Sequence, residues 1–308
     1  MDKKFLYYLI KRVLLAVVTI FLVVTITFWT MQAIPGGPFL SEKSPSAETM
    51  AALEAKYGLD KPLGEQYLTY VKGVFTLDFG PSLKFRGQQV MDLILEGFAV
   101  SAKIGLMAAA MALILGMVFG SLAAVFHDRL VDRIIMVVST ACVAMPSFLI
   151  ATLLLLIFAV NLGWFPTNGN QAGGLVLPTV ALALYPMSYT IRLTRSSMLD
   201  VLGQDYIRTA KAKGVKPSMV LFKHALKNAV TPVITYAGPM IAFILTGSLV
   251  VEEIFAVHGL GSFFVSSIIN RDYPMVMGVT IFLAVIVIIM MLISDVLYKL
   301  VDPRVDLS

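Results

Sequence analysis

Long apolar stretches alternate with short polar ones along this chain, and the apolar stretches are as long as an α-helix needs to cross a bilayer, about 20 residues. Six are legible, at about 9–31, 99–125, 134–160, 175–191, 229–251 and 275–297. Unbroken apolarity of that length predicts membrane-spanning helices, because in hydrocarbon the backbone polar groups have to be satisfied within each segment. The first stretch carries Lys11 and Arg12 at its start. It exceeds the roughly 7–15 apolar residues of a signal peptide and reads as an uncleaved anchor. Only a turn-rich hairpin, 161–174, separates the third stretch from the fourth. The pattern predicts an all-α, polytopic membrane protein with six transmembrane helices. It divides into 1–31 with the first helix, an extracytoplasmic loop over 32–98, and a five-helix core over 99–308 with a cytoplasmic segment at 192–228.

Of the 308 residues, 58% are hydrophobic and 14% charged, where soluble domains carry about 25% charged residues. Basic residues resist translocation, and short loops follow this rule best. Lys3, Lys4, Lys11 and Arg12, then Arg129 and Arg133, eight between Arg192 and Lys227, and Lys299 with Arg304 fall on one side. The other side holds Arg271 and the basic residues of the long loop. Both termini are therefore predicted to be cytoplasmic. The net charge of +5 reflects this asymmetry and not nucleic-acid binding. The long loop predicts ordered structure, with one helix from Ser44-Pro45 to Gly58 and another opening at Asp60 to Pro62.

Candidate chemistry is sparse. Cys142 is the one cysteine, and His127, His224 and His258 have no metal-ligand spacing. The chain has no phosphate-binding Gly-x-x-x-x-Gly-Lys-Ser/Thr loop, no His-Glu-x-x-His, and no serine with a histidine partner at membrane depth. It is expected to be no enzyme, with no cofactor or metal of its own. Ala108, Ala112, Gly116, Gly120 and Ala124 form a small-residue stripe at intervals of four, which permits close helix packing or forms a smooth wall. Pro146, Pro186, Pro232 and Pro239 predict kinks, either static or acting as hinges. Asp295 stands four residues before Lys299, at the spacing of an interfacial ion pair. Glu252 and Glu253 fall at the outer end of the fifth span, as solvated charge or as contacts for a docked partner.

The densest information lies in 204–228, QDYIRTAKAKGVKPSMVLFKHALKN. Gly214 fits the position after a short helix and Pro217 the first position of the next. Tyr206, Ile207 and Ala210 share one face, as do Val220, Leu221, His224 and Ala225, leaving a cationic face that contains Arg208, Lys211, Lys213, Lys216, Lys223 and Lys227. Such an element can lie on anionic membrane lipid or dock on a protein. The run Arg208-Thr209-Ala210-Lys211-Ala212-Lys213-Gly214 resembles the coupling loop of binding-protein-dependent ABC importer permeases. Arg208 stands where the broad family has Glu, and Asn228 where related chains often have Pro.

The resemblance extends along the chain. Ala33-Ile34-Pro35-Gly36-Gly37-Pro38-Phe39 is similar to the segment that leaves the first span in the B-type permeases of oligopeptide importers, and Asp78-Phe79-Gly80-Pro81-Ser82-Leu83-Lys84 looks like the oligopeptide branch. Thr246-Gly247-Ser248, Gly259-Leu260-Gly261 and Asn270-Arg271-Asp272-Tyr273 resemble the external segment before the last span. This likeness implies a type I ABC-importer permease in a prokaryotic plasma (inner) membrane, forming a peptide pathway. Tyr206 to Gly214 would couple it to ATPases. Glu252, Glu253, Gly259, Gly261, Arg271 and Asp272 would form an external gate or binding-protein contact. The implied partners are a second homologous permease, two cytoplasmic ATPase subunits that hold ATP and Mg, an extracytoplasmic peptide-binding protein and the peptide itself. A dipeptide or nickel permease is the alternative within the family. An ion-coupled secondary transporter would call for inverted repeats and midplane carboxylates, which this sequence lacks.

Overall fold

The computed structural model describes residues 3–35, 37–38, 48, 50–51, 54–55, 58–85 and 87–301. The fold is helical: α1 (Lys3–Ala33), α2 (Leu63–Thr76), α3 (Val90–Val125), α4 (Leu130–Ala144), α5 (Ser147–Asn161), α6 (Val176–Leu202), α7 (Asp205–Ala212), α8 (Pro217–Ala229), α9 (Thr231–Leu245), α10 (Leu249–Ile254), α11 (Leu260–Ile269) and α12 (Tyr273–Val301). Among the described residues, three helices are long and apolar enough to cross a membrane: the Ile10–Ala33 part of α1, all of α3, and the Tyr273–Val296 part of α12. The number rises to as many as five if the bent pairs α4–α5 and α8–α9 each count as one span. The fourth predicted span falls in α6, whose polar Thr, Ser and Tyr positions dilute its apolarity.

Two predicted spans bend where proline kinks were expected, at Pro146 and just before Pro232. Helices α4 and α5 meet at 108°. Pro146 offers no N–H to continue α4 and drives Met145 into an extended conformation, φ −84° and ψ 133°. The predicted fifth span is also displaced: α8 and α9 bend by 52°, and α9 ends at Leu245. Gly247, at φ +80°, then turns the chain into α10, a backbone conformation that favours glycine. In the external loop the second expected helix is α2, but most of the Ser44 to Gly58 helix lies outside the described residues. So does the Lys299 side chain expected beside Asp295.

The chain forms two compact units. The first comprises the described residues of Met1–Val100 with Gly259–Ile289. Here α2 lies along the end of α1. Phe28 meets Tyr67 edge-on at 5.3 Å and stacks on Tyr70 at 5.8 Å, while the Tyr67 hydroxyl bonds Thr25 Oγ1 at 2.8 Å. Burial pushes the Tyr70 phenol above its ordinary range. A cavity of about 500 Å³ opens between Phe28, Tyr70, Gly73, Asp78 and Met277. A second core joins Val90, Leu93 and Ile94 of α3 to Leu260 of α11 and to Met275 and Val279 of α12.

The second unit comprises Ser101–His258 with the described residues of Met290–Val305. Its centre is the small-residue stripe of α3. A Cβ on Gly116 would stand 2.6 Å from the Thr190 side chain, and one on Gly120 would stand 2.6 Å from the Ile191 carbonyl oxygen. Ala108 and Ala112 are fully buried against Ala183 of α6 and Met240 and Ile244 of α9. The stripe is used for helix packing inside the chain, against α6 and α9. In lipid such contacts stabilise through close van der Waals packing, since hydrocarbon offers little hydrophobic drive. Gly116→Val is expected to destabilise the protein by about 1–3 kcal/mol through overpacking. Gly64→Ala, at a helical position open to space, should leave the thermal unfolding midpoint of the purified protein unchanged or slightly higher.

Candidate functional site

Helix α7 is short because its sequence stops it. Gly214 adopts φ +75°, its N–H bonds the Lys211 carbonyl at 3.0 Å, and the Val215 N–H bonds the Ala210 carbonyl at 3.2 Å. These two bonds make a Schellman closure, and Ala210 and Val215 pack in one cluster as that motif favours. Lys216 caps the next helix with Pro217 at its start, as the spacing predicts. From Val220 to Leu226 that helix is π-helical. The wider turn puts Val220 and Ala225, five residues apart, on one buried face, while Phe222 is 65% exposed.

Ile207 is fully buried in a cluster with Ala124 of α3, Met198 of α6, and Val220, Ala225 and Ala229 of α8. Ala210 and Leu221 pack against its edge. Tyr206 departs from its expected place: it is exposed, and its hydroxyl accepts from Asn228 Nδ2 at 3.1 Å. Arg208, Thr209, Lys211, Ala212, Lys213 and Gly214 are all exposed. The Arg208–Asp205 contact of 3.5 Å is between solvated side chains and contributes little. A small helix held by one isoleucine therefore offers a cationic, small-residue surface to whatever docks there.

The external candidates divide differently from expectation. Glu252, read as solvated, is 3% exposed, and its Oε1 accepts from Ser101 Oγ at 2.7 Å. The Gly247 turn and the Ser248 cap of α10 fold the first turn of that helix inward. Asp272 is fully buried and caps α12, accepting from Ser82 Oγ, from the Leu83 N–H at 3.2 Å and from the Met275 N–H at 3.4 Å. Arg271 Nη1 donates to the carbonyls of Pro35 and Gly37 at 3.1 and 3.3 Å. Gly259 and Gly261 are buried at the start of α11, and Glu253 is exposed. Asp272 and Arg271 thus tie segments of the first unit together, and Glu252 does the same in the second.

One cluster escaped the sequence reading. Asp132, at the start of α4, is 3% exposed. Arg195 of α6 grips it with both arms, Nε to Oδ1 and Nη2 to Oδ2, each at 2.7 Å. The Asp128 N–H bonds Oδ2 at 3.0 Å, and His127 Nδ1 stands 3.1 Å from Arg195 Nη2. His127, Asp128 and Asp132 place ligand atoms within 4.8 Å of one another. Both oxygens of Asp132 are engaged by Arg195, however, so a cation would have to displace the guanidinium. The one sequence signal is that Asp132 and Arg195 are charges within largely apolar or hydroxylic helices, but Arg133, Arg192 and Asp200 share those helices and 63 residues separate the pair.

Helices of this arrangement occur in ABC importers of known structure. The chain aligns with the inward-facing MetNI methionine ABC transporter at TM-score 0.55 and 16% identity, over 68% of this chain and 97% of the other. An amino acid ABC transporter crystallised with histidines aligns at TM-score 0.52 and 16% identity, over 70% and 94%. Those likenesses define the fold as that of an ABC importer permease. Residues 116–307 match the family described as "Binding-protein-dependent transport system inner membrane component", and 5–84 match its N-terminal family; the chain belongs to that family. It is a non-catalytic, multi-pass component of a bacterial inner membrane.

Full-length relatives agree. The dipeptide transport system permease protein DppB of Bacillus subtilis is 48% identical over 97% of this chain and 98% of its own length. The oligopeptide transport system permease protein OppB of Haemophilus influenzae is 43% identical over 97% and 99%, and OppB of Escherichia coli is 41% identical over the same shares.

Removing one partner of the buried pair leaves the other charge uncompensated, at a cost of about 3–5 kcal/mol, whereas apolar replacement of both is far less harmful. Asp132→Leu alone is therefore expected to lower the unfolding midpoint of the detergent-solubilised protein more than Asp132→Leu combined with Arg195→Met. A loss in the double variant equal to the sum of the losses in Asp132→Leu and Arg195→Met made singly would show that the two groups do not interact.

Proposed function

We propose that this chain is one of two similar but nonidentical permease subunits of an ATP-driven oligopeptide importer. Two cytoplasmic ATPases supply ATP and Mg, and an extracytoplasmic binding protein delivers the peptide. The observation that carries this reading is the full-length likeness to permeases named for peptide transport. The exposed surface of α7, from Tyr206 to Gly214, agrees with it: small side chains at Ala210, Ala212 and Gly214 permit close approach by a partner. The six spans lie in α1, α3, α4–α5, α6, α9 and α12, with both termini in the cytoplasm. The basic residues gathered in 192–227 support that orientation. Among the external candidates, exposed Glu253 is the one left to meet the binding protein. Peptides differ in charge, and a nearly uncharged pathway holding Met and aromatic side chains passes many of them.

A second reading, dipeptides as cargo, is favoured by the 48% identity to the Bacillus permease. Competition of labelled pentapeptide uptake by unlabelled dipeptides and pentapeptides separates the two: oligopeptide specificity predicts that only the longer peptide competes well.

Gly214→Trp tests the coupling surface directly. A Cβ at Gly214 has nothing within 4 Å, so the bulk meets a docked partner and not the chain's own core. The left-handed backbone adds roughly 1–2 kcal/mol of strain. Gly214→Asn adopts that conformation readily and controls for it. The tryptophan variant should retain the second permease and lose the ATPases on purification, while the asparagine variant retains both. ATPases that never accompany the wild-type protein, even after mild crosslinking, would sink the importer reading.

A further inference from the structure

Helix α6 carries a row of contacts after its internal Pro186. The Ser188 carbonyl accepts from Ser139 Oγ of α4 at 3.1 Å. One turn on, Arg192 Nη2 donates to Thr140 Oγ1 of α4 at 2.8 Å. The next position on that side, Arg195, holds Asp132 with two charge-assisted bonds. Met198, three residues further, is fully buried against Ile207 of α7. The anchor of α7 therefore sits directly beyond three polar ties between α6 and α4. Bidentate, charge-assisted ion pairs are the strongest of such ties. Past them, the chain of backbone hydrogen bonds in α4 first breaks at Met145-Pro146, where α5 turns away by 108°.

We propose that α4, the part of α6 after Pro186, and α7 move as one lever, that the Asp132–Arg195 pair is the positioning contact that makes them one, and that Met145-Pro146 is where the lever flexes. A force applied to α7 reaches Met198, passes along α6 to Arg195, and is handed to α4 through Asp132. Without the pair, α6 can shift while α4 stays behind, and ATP is spent with less peptide moved. The inference rests on the reading of α7 as the ATPase-coupling surface.

The test uses the complete reconstituted complex and reads peptide imported per ATP hydrolysed. The variant carrying Asp132→Leu with Arg195→Met should bind the ATPases and hydrolyse ATP, but import per ATP should fall by roughly 2- to 30-fold, the span of known coupling effects. Arg195→Lys keeps the charge without the two-armed grip and should lie between that variant and wild type. An unchanged ratio in the double variant overturns the proposal.

A second measurement does not depend on that variant assembling. With Cys142→Ser as background, Thr140→Cys and Arg192→Cys, whose native side chains meet on the accessible part of the α4–α6 seam, are joined by a short bifunctional thiol reagent. A rigid lever tolerates the crosslink with import intact, whereas loss of import on crosslinking shows that α4 and α6 slide past each other and sinks the idea. If the uncrosslinked wild-type complex itself shows no ATP-dependent peptide import, it is the permease reading that fails, and the pair is not at fault.

Discussion

At Gly116 and Gly120 helix α3 lies so close to α6 that a single added carbon would collide with Thr190 or with the Ile191 backbone. In a membrane this contact has special weight. Apolar side chains gain little by leaving lipid for protein, so helices are held together by dense packing of small residues and by the polar ties that such proximity allows. With α6 seated on the stripe, its far end lies beside Ala124, and the floor of α7 is built from Ala124 and Met198 together. The coupling surface inherits its position from a row of alanines and glycines upstream of it.

Buried carboxylates do the complementary work. Asp132 joins α4 to α6 within the second unit, Glu252 joins α10 to Ser101, and Asp272 fastens the 82–84 turn to the start of α12 within the first. Each faces donors supplied by a neighbouring helix start, turn or side chain. A carboxylate that accepts several hydrogen bonds can be buried where an unpaired one cannot. Three of this chain's acidic groups thus stand at joints, while the exposed surface of α7 is mainly cationic.

Much of the coupling element was legible because its signals are local. Gly214 and Pro217 specify a stop and a restart through their own backbone preferences, and the Ile207 face follows from helical period. The positions of spans were legible for the same reason, since twenty apolar residues suffice to suggest one. The breaks were less so. Proline at 146 announced a kink, but a 108° turn depends on what α5 packs against once Met145 is extended. In 220–226 the face that the period assigns, Val220, Leu221, His224 and Ala225, is the one turned inward, although the winding there is π-helical.

What the sequence determined alone was the membrane-spanning helical class, the distribution of basic charge and the small cationic helix at 205–212, because hydropathy, charge and capping are properties of neighbouring residues. What only the tertiary structure decided was who meets whom. Glu252 at the end of an apolar run looks solvated until Gly247 folds it under Ser101, and Asp132 and Arg195, 63 residues apart, become a pair only when α4 and α6 lie side by side. Burial and pairing of a charge depend on groups brought in from distant segments, and no local pattern encodes them.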